Sequence, residues 1–268
     1  MSDWISSVFD ANQSEIGQRL GVPFIRAQAD SVDILIDRSI LSLSSSLLSD
    51  NAICNDVIRV NIYQSSVGVI GISTVVWDAG LYLIDFLIHE QSVIKDYRLG
   101  RVLDIGCGTG ICGIISAYLN SDYILLTDAH ISDIIIQNIE LIPQSLQNKI
   151  KTLQYNWENE IPTVLSKAND NDDRWDTILC SDVLYDSKYH GVLLQLISNL
   201  KFNRLILSYK RRHDEEEKRF LISLNDKYSI ELVDPDSIEL KNLNKSSLSG
   251  LHLFIITLLG PSRSDNYV

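Results

Sequence analysis

The stretch Leu103–Gly110 reads LDIGCGTG, an apolar run that ends in a carboxylate and opens into three glycines spaced two apart. A strand, then glycines, then a helix is the arrangement that brings backbone close to a ligand at the carboxyl edge of an α/β sheet. The loop has two readings. Gly106, Gly108 and Gly110 give GxGxG, while Gly108, Gly110 and Gly113 give GxGxxG, the dinucleotide fingerprint. Asp104 separates them, because its charge falls where a dinucleotide would place its pyrophosphate. Two like charges at about 4 Å cost on the order of 1 kcal/mol in water and several times that in a half-buried cleft.

A nucleoside that carries positive charge suits the acid better. S-adenosylmethionine presents an ammonium and a sulfonium, so Asp104 is read as a cofactor-binding residue, with bracing of the loop or helix as its alternative role. Asp128, at the end of the following strand, is placed to accept hydrogen bonds from ribose hydroxyls, which either cofactor class requires. Cys107 lies between the glycines and is grouped with the cofactor loop as a small residue. A catalytic thiol would want a histidine partner, and no motif supplies one.

Outward from the loop, short apolar runs rich in branched residues alternate with helically spaced segments. RVLDI (101–105), YILLTD (123–128), KTLQY (151–155), DTILC (176–180) and RLILSY (204–209) read as buried strands. WDAGLYLIDFLIHE (77–90), ICGIISAYL (111–119) and HGVLLQLISNL (190–200) read as helices. A further helix begins at Asp214, where Asp214 and Glu217 have capping-box spacing. YSIELV (228–233) and LHLFIITLL (251–259) have no helical segment between them and are expected to pair antiparallel. The fold class is therefore α/β: a seven-strand Rossmann-like sheet with helices on both faces and its last two strands antiparallel. SVDILIDRSI (31–40) and DVIRVNIYQ (56–64) alternate apolar and polar residues around the serine-rich SLSSSLLSD (42–50). Residues 1–66 are accordingly expected to form a β-hairpin-like extension packed on a main domain of residues 67–268.

Composition narrows the classes. With 268 residues and 45% hydrophobic content, the chain can bury a sizeable core. No uninterrupted apolar run approaches the roughly 20 residues of a membrane span, and MSDWISSVFD has no secretory pattern. The expected location is the cytoplasm, with the nucleus as the other compartment. A formal charge of −12 disfavours nucleic acid and suits a cationic partner. The four cysteines include no CxxC pair, so neither a disulfide framework nor a metal site is expected.

Four segments, in order, carry a resemblance. VLDIGCGTG (102–110) is similar to the first motif of seven-strand, class I S-adenosylmethionine-dependent methyltransferases. VVWDAGLYL (75–83), NWENE (156–160) and SDVLYD (181–186) resemble segments of the small non-SET protein lysine methyltransferases, and the likeness runs from Val67 to Phe220. That resemblance implies Trp77 lining the cofactor cleft, Gly106 and Gly108 near the methionine part, Asp128 on the ribose, Trp157 beside the adenine and Ser181 at the pocket rim. It implies Asp182 and Tyr185 facing the methyl-transfer site as the catalytic pair. The sequence departs from the pattern at Glu158, where a glycine commonly follows the tryptophan, and at Gly80, where a second alanine is usual.

The chemistry asks for a neutral nitrogen in line with the sulfonium methyl. A lysine amine has a pKa near ~10.4 and must first lose a proton, which proximity to the sulfonium and desolvation favour. Asp182 is expected to attract and orient the ammonium, and Tyr185 to offer a ring face. SDVLY has no proline, unlike the Asn- or Asp-Pro-Pro-aromatic stretch of amide-nitrogen enzymes, and no Pro-Cys pair serves cytosine-ring chemistry. The expected function is methylation by a monomer of a lysine on a protein. By resemblance the candidates are an elongation factor, an Hsp70-type chaperone or an AAA ATPase. Another protein nitrogen, a small-molecule amine and a catalytically silent binding module of the same fold stand as alternatives.

Overall fold

The computed structural model describes residues 29–41, 53–54, 57–65, 71–94, 96–166 and 174–259. The strands are β1 (Ser31–Asp37), β2 (Ile53–Cys54), β3 (Val57–Tyr63), β4 (Gly100–Ile105), β5 (Ser121–Asp128), β6 (Ile150–Gln154), β7 (Arg174–Ser181), β8 (Lys201–Lys210), β9 (Tyr228–Leu232) and β10 (Leu251–Leu258). Seven of them form one sheet in the order β6-β5-β4-β7-β8-β10-β9. β4 to β8 run parallel, and β10 inserts antiparallel between β8 and β9.

The continuous apolar runs of the central strands follow from burial on both faces. Val102, Ile124, Leu126, Leu179 and Ile206 enter one core, shared with helices α1 (Asp78–Val93) and α2 (Ile111–Tyr118). Their sequence neighbours Leu103, Ile105, Leu125, Ile178, Cys180 and Leu205 enter the other. That second core also holds residues of the helices 190–199 and 214–225. Alternation along a strand thus separates two cores rather than core from solvent. The segment Ile72–Val93 is long and apolar enough to match a membrane span by composition, but 78% of that window is buried inside the protein. Its apolarity serves the sheet.

Three α-helices among the described residues lie outside the sequence reading: α3 (Asp133–Glu140), with Ile135 and Asn138 buried, and the one-turn segments Gln144–Gln147 and Thr163–Ser166. The longer helices after α3 are α4 (His190–Asn199) and α5 (Asp214–Asn225). The capping box expected at α5 is displaced by one residue. His213 is the cap residue and makes no side-chain cap bond, and Asp214 instead pairs with Arg211 at 3.1 Å. Glu217 still reaches back, its Oε1 accepting from the backbone N–H of Arg212 at 2.8 Å and of His213 at 3.0 Å.

β1, β3 and β2 form a small second sheet, with β1 antiparallel to β3 from Ser31↔Tyr63 to Asp37↔Val57. Ile34, Ile36, Ile58, Val60 and Ile62 are buried from it into the α1 and α2 core. Asn242 fastens its first strand: Oδ1 accepts from Leu35 N at 2.7 Å, while Nδ2 donates to the buried Asp85 of α1 at 2.8 Å. The serine-rich stretch 42–50 lies outside the described residues.

Candidate functional site

A cleft opens where β4 parts its neighbours, with β5 and β6 on one side and β7 and β8 on the other. Ligands of open α/β sheets sit at such a switch, outside the carboxyl ends of the strands. Its wall takes residues from each strand end: Gly106 after β4, Asp128 closing β5, Tyr155 and Trp157 after β6, Ser181, Asp182, Val183 and Tyr185 at the end of β7, and Arg212 beyond β8. Its volume is about 910 Å³ including the open mouth, within the range of small-molecule sites.

The glycine loop is shaped for close approach. Gly106, Gly108 and Gly110 have φ of 67°, 57° and 79°, a region that disfavours side chains. A Cβ on Gly108 would stand 3.0 Å from the Ser73 carbonyl oxygen, and one on Gly106 would stand 3.0 Å from Val183 and 3.1 Å from Trp157. The third glycine of the dinucleotide reading has a different reason. A Cβ on Gly113 would fall 2.2 Å from Leu126, so that glycine lets α2 lie against β5.

Asp128 lines the cleft and is held by backbone: Oδ2 accepts from Gly108 N at 3.0 Å and Oδ1 from His130 N at 3.2 Å. Each oxygen keeps a lone pair for a further donor. Burial raises its pKa against these hydrogen bonds. Trp77 lines the opposite wall, its Nε1 donating to Ile72 O at 2.9 Å. Trp157 stands in a turn built by Asn156, whose Oδ1 accepts from Glu158 N at 3.0 Å, and meets Tyr189 edge-on at 6.1 Å. Glu158 has no left-handed backbone, so the turn does not need the glycine common there. Gly80 sets an open backbone against Ser181, whose Oγ would lie 3.2 Å from an added Cβ.

Two expected cofactor contacts do not line the cleft. Asp104 is fully buried on the α2 side of β4, where its Oδ2 accepts from Gly113 N at 2.9 Å and braces the first turn of that helix. Its Oδ1 has no hydrogen-bond partner among the described residues. Burial, with the nearby Asp128 charge, pushes its pKa up to about 7. Cys107 donates its N–H to Thr127 O at 2.9 Å and buries a thiol whose pKa burial raises well above its ordinary value. Asp104 therefore braces the first turn of α2, and Cys107 is a packed loop residue.

The pair expected at the methyl acceptor differs most from expectation. Asp182 has φ 54° and donates its N–H to Ser208 O at 2.7 Å. Both its carboxylate oxygens are taken by Arg212: Nη1 to Oδ1 at 2.8 Å and Nη2 to Oδ2 at 2.9 Å. Lys210 N adds a third donor at 3.1 Å, and the two side chains are only 11% and 6% exposed. This closed fork leaves the acid poorly placed to grip an incoming ammonium. Tyr185 lines the cleft beside Tyr189, and burial pushes its pKa up to about 12, so it presents a neutral phenol. Arg212, Tyr155 and Tyr189 are lining residues the motifs did not name.

This cleft places a glycine loop, a carboxylate and an aromatic wall in the motif order noted in the sequence, and a family model for lysine methyltransferases matches residues 55–227. The chain belongs to the lysine methyltransferase family. Protein N-lysine methyltransferase METTL21A of Danio rerio is 29% identical over 171 residues, 63% of this chain and 74% of that protein. The Mus musculus protein of the same name is 27% identical over 170 residues, covering 62% and 73%. EEF1A lysine methyltransferase 3 of Xenopus tropicalis is 26% identical over 206 residues, covering 74% and 84%. The residues that line the cleft, from Ile72 to Arg212, all lie inside the family match.

Proposed function

We propose that this lysine methyltransferase binds S-adenosylmethionine in the cleft and methylates a lysine side chain presented by another protein. The observation that carries the reading is Asp128, a carboxylate with spare lone pairs facing a cleft whose glycines leave backbone bare. The residues fit the cofactor. A Cβ at Gly106 or Gly108 would crowd the loop, Trp157 and Tyr155 offer aromatic faces for a purine, and the unpartnered Oδ1 of Asp104 adds to a negative field that favours a cation. The relatives' names support a protein as the acceptor.

Bound there, the cofactor supplies an electrophilic methyl on a sulfonium. Asp128 would hold the ribose hydroxyls through the two oxygens that Gly108 and His130 already orient. The Asp182–Arg212 pair would fix the turn that carries Tyr185 into the cleft, rather than hold the amine itself. Tyr185 and Tyr189, 6.4 Å apart between ring centroids, would form the wall against which the substrate's aliphatic stem and ammonium rest, a contact of about 0.5–2 kcal/mol. With Asp182 occupied, the proton of the lysine ammonium would leave to water at the mouth. Residues 1–66 would pack as an extension on the methyltransferase domain of residues 67–268.

The test is calorimetric titration of S-adenosylmethionine into the protein and into Asp128→Ala. The reading predicts binding, weakened by about tenfold or more in the variant, as expected when hydrogen bonds to a charged group are lost. Equal affinity for both proteins would remove the ribose role.

A further inference from the structure

The small sheet touches both walls of the cleft through two buried side-chain amides. Asn138 of α3 is fully buried; its Oδ1 accepts from Tyr63 N at 2.7 Å, and its Nδ2 donates to Tyr63 O and to Thr109 O, each at 3.0 Å. One amide thus joins the last residue of β3 to the glycine loop. The next residue of the chain, Gln64, joins β3 to the other wall: its Nε2 donates to Ala29 O at 2.9 Å and its Oε1 accepts from Val76 N at 2.9 Å. Ser65 N donates to Thr74 O at 2.8 Å and reinforces that seam. Val76 precedes Trp77, and Ser73, which shares the cleft wall with it, is the backbone against which Gly108 is pressed.

We infer that Asn138 and Gln64 are positioning residues for the cofactor site, and that the end of β3 sets the spacing between the glycine loop and the Ile72–Trp77 wall. Side-chain amides suit this task because each offers a donor and an acceptor in fixed geometry, and both backbones they bridge would otherwise bury unpaired groups. The bridge explains why an N-terminal sheet, 43 or more residues ahead of the glycine loop at Tyr63, is packed on the cofactor side of the domain. The small sheet is then part of the cofactor site's frame, whatever else it contacts. The inference rests on the proposal that the cleft holds S-adenosylmethionine.

The experiment is calorimetric titration of S-adenosylmethionine, with steady-state kinetics on a methyl-accepting protein, for the full chain and three variants. Gln64→Met removes the acceptor for Val76 N, and Asn138→Asp keeps the acceptor for Tyr63 N while losing the donor to Thr109. Leu224→Ala, in the other core and outside the cleft lining, supplies a loss of stability at a residue that does not face the cleft. The expected result is a rise of about tenfold in Kd and in KM for the cofactor for Gln64→Met and Asn138→Asp, with KM for the protein acceptor unchanged and Leu224→Ala unaffected. Wild-type affinity in Gln64→Met, or equal weakening in Leu224→Ala, overturns the inference. Should Asn138→Asp fail to fold, as judged by circular dichroism, Gln64→Met decides alone. Absence of binding to the unmutated chain would instead overturn the cofactor reading.

Discussion

The glycine loop and the Asp182 turn stand at the carboxyl ends of adjacent strands, and both bend through left-handed backbone, but by opposite means. The loop uses glycines at φ 67°, 57° and 79°, and the turn uses an aspartate at φ 54°. A non-glycine residue in that region costs on the order of 1–3 kcal/mol. At the turn the cost is offset by the bond to Ser208 O and by the fork to Arg212. The comparison teaches where a side chain is excluded and where one is required: bare backbone lines one side of the cleft, and a neutralised ion pair holds the turn that carries Tyr185 on the other.

The largest expected effect breaks the turn. Asp182→Ala strands the Arg212 guanidinium at 11% exposure and should cost about 3–5 kcal/mol in chemical denaturation, with turnover lost. Asp182→Asn, which tolerates the left-handed backbone, should recover part of the stability and none of the charge pairing. Next, Gly108→Ala sets a methyl 3.0 Å from the Ser73 carbonyl at positive φ. It should weaken S-adenosylmethionine by at least about tenfold, measured by calorimetry.

A third effect is pH dependence. Asp104 has its pKa raised by burial to about 7 from 3.8, so in the free protein its proton is held more tightly folded than unfolded. That stability is present below the unfolded value and is lost as pH rises from about 4 to about 7. A bound cation lowers the same pKa, so cofactor affinity should increase across this interval with release of a proton. Calorimetry in buffers of different ionisation enthalpy reads that release directly. The smallest effect sharpens the contrast from the other side. Gly80 is helical, and an added Cβ would meet the Ser181 hydroxyl, which can rotate, at 3.2 Å and Ile111 and Cys112 at ordinary contact distance, so Gly80→Ala should stabilise by less than about 1 kcal/mol in thermal unfolding.

The sheet was legible because strands buried on both faces read as unbroken apolar runs, as RLILSY within β8 does. Trp77, Gly106, Gly108, Asp128, Trp157, Ser181, Asp182 and Tyr185 all line one cleft, as motif order suggested they would be gathered. What was illegible depends on contacts far along the chain. Arg212 meets Asp182 across 30 positions, and in YKRRHDEEEKRF it reads as one of several cations entering a helix. Asn138 sits in a short helix and pairs with residues 75 and 29 positions away. For Asp104 the bracing role stood only as the alternative to cofactor contact, because its partner, the N–H of Gly113, is set by how closely α2 approaches β5. The spacing of Asp214 and Glu217 named the right glutamate but the wrong cap, since the helix starts at Asp214, one residue earlier than that box requires.

The most direct test of the account is incubation of the protein with tritiated S-adenosylmethionine and a cell lysate from its own source, followed by gel fluorography and mass spectrometry of labelled bands. The account predicts a discrete labelled protein carrying methyl-lysine, absent with Asp182→Ala. Label confined to small molecules, or to a protein residue other than lysine, would contradict it.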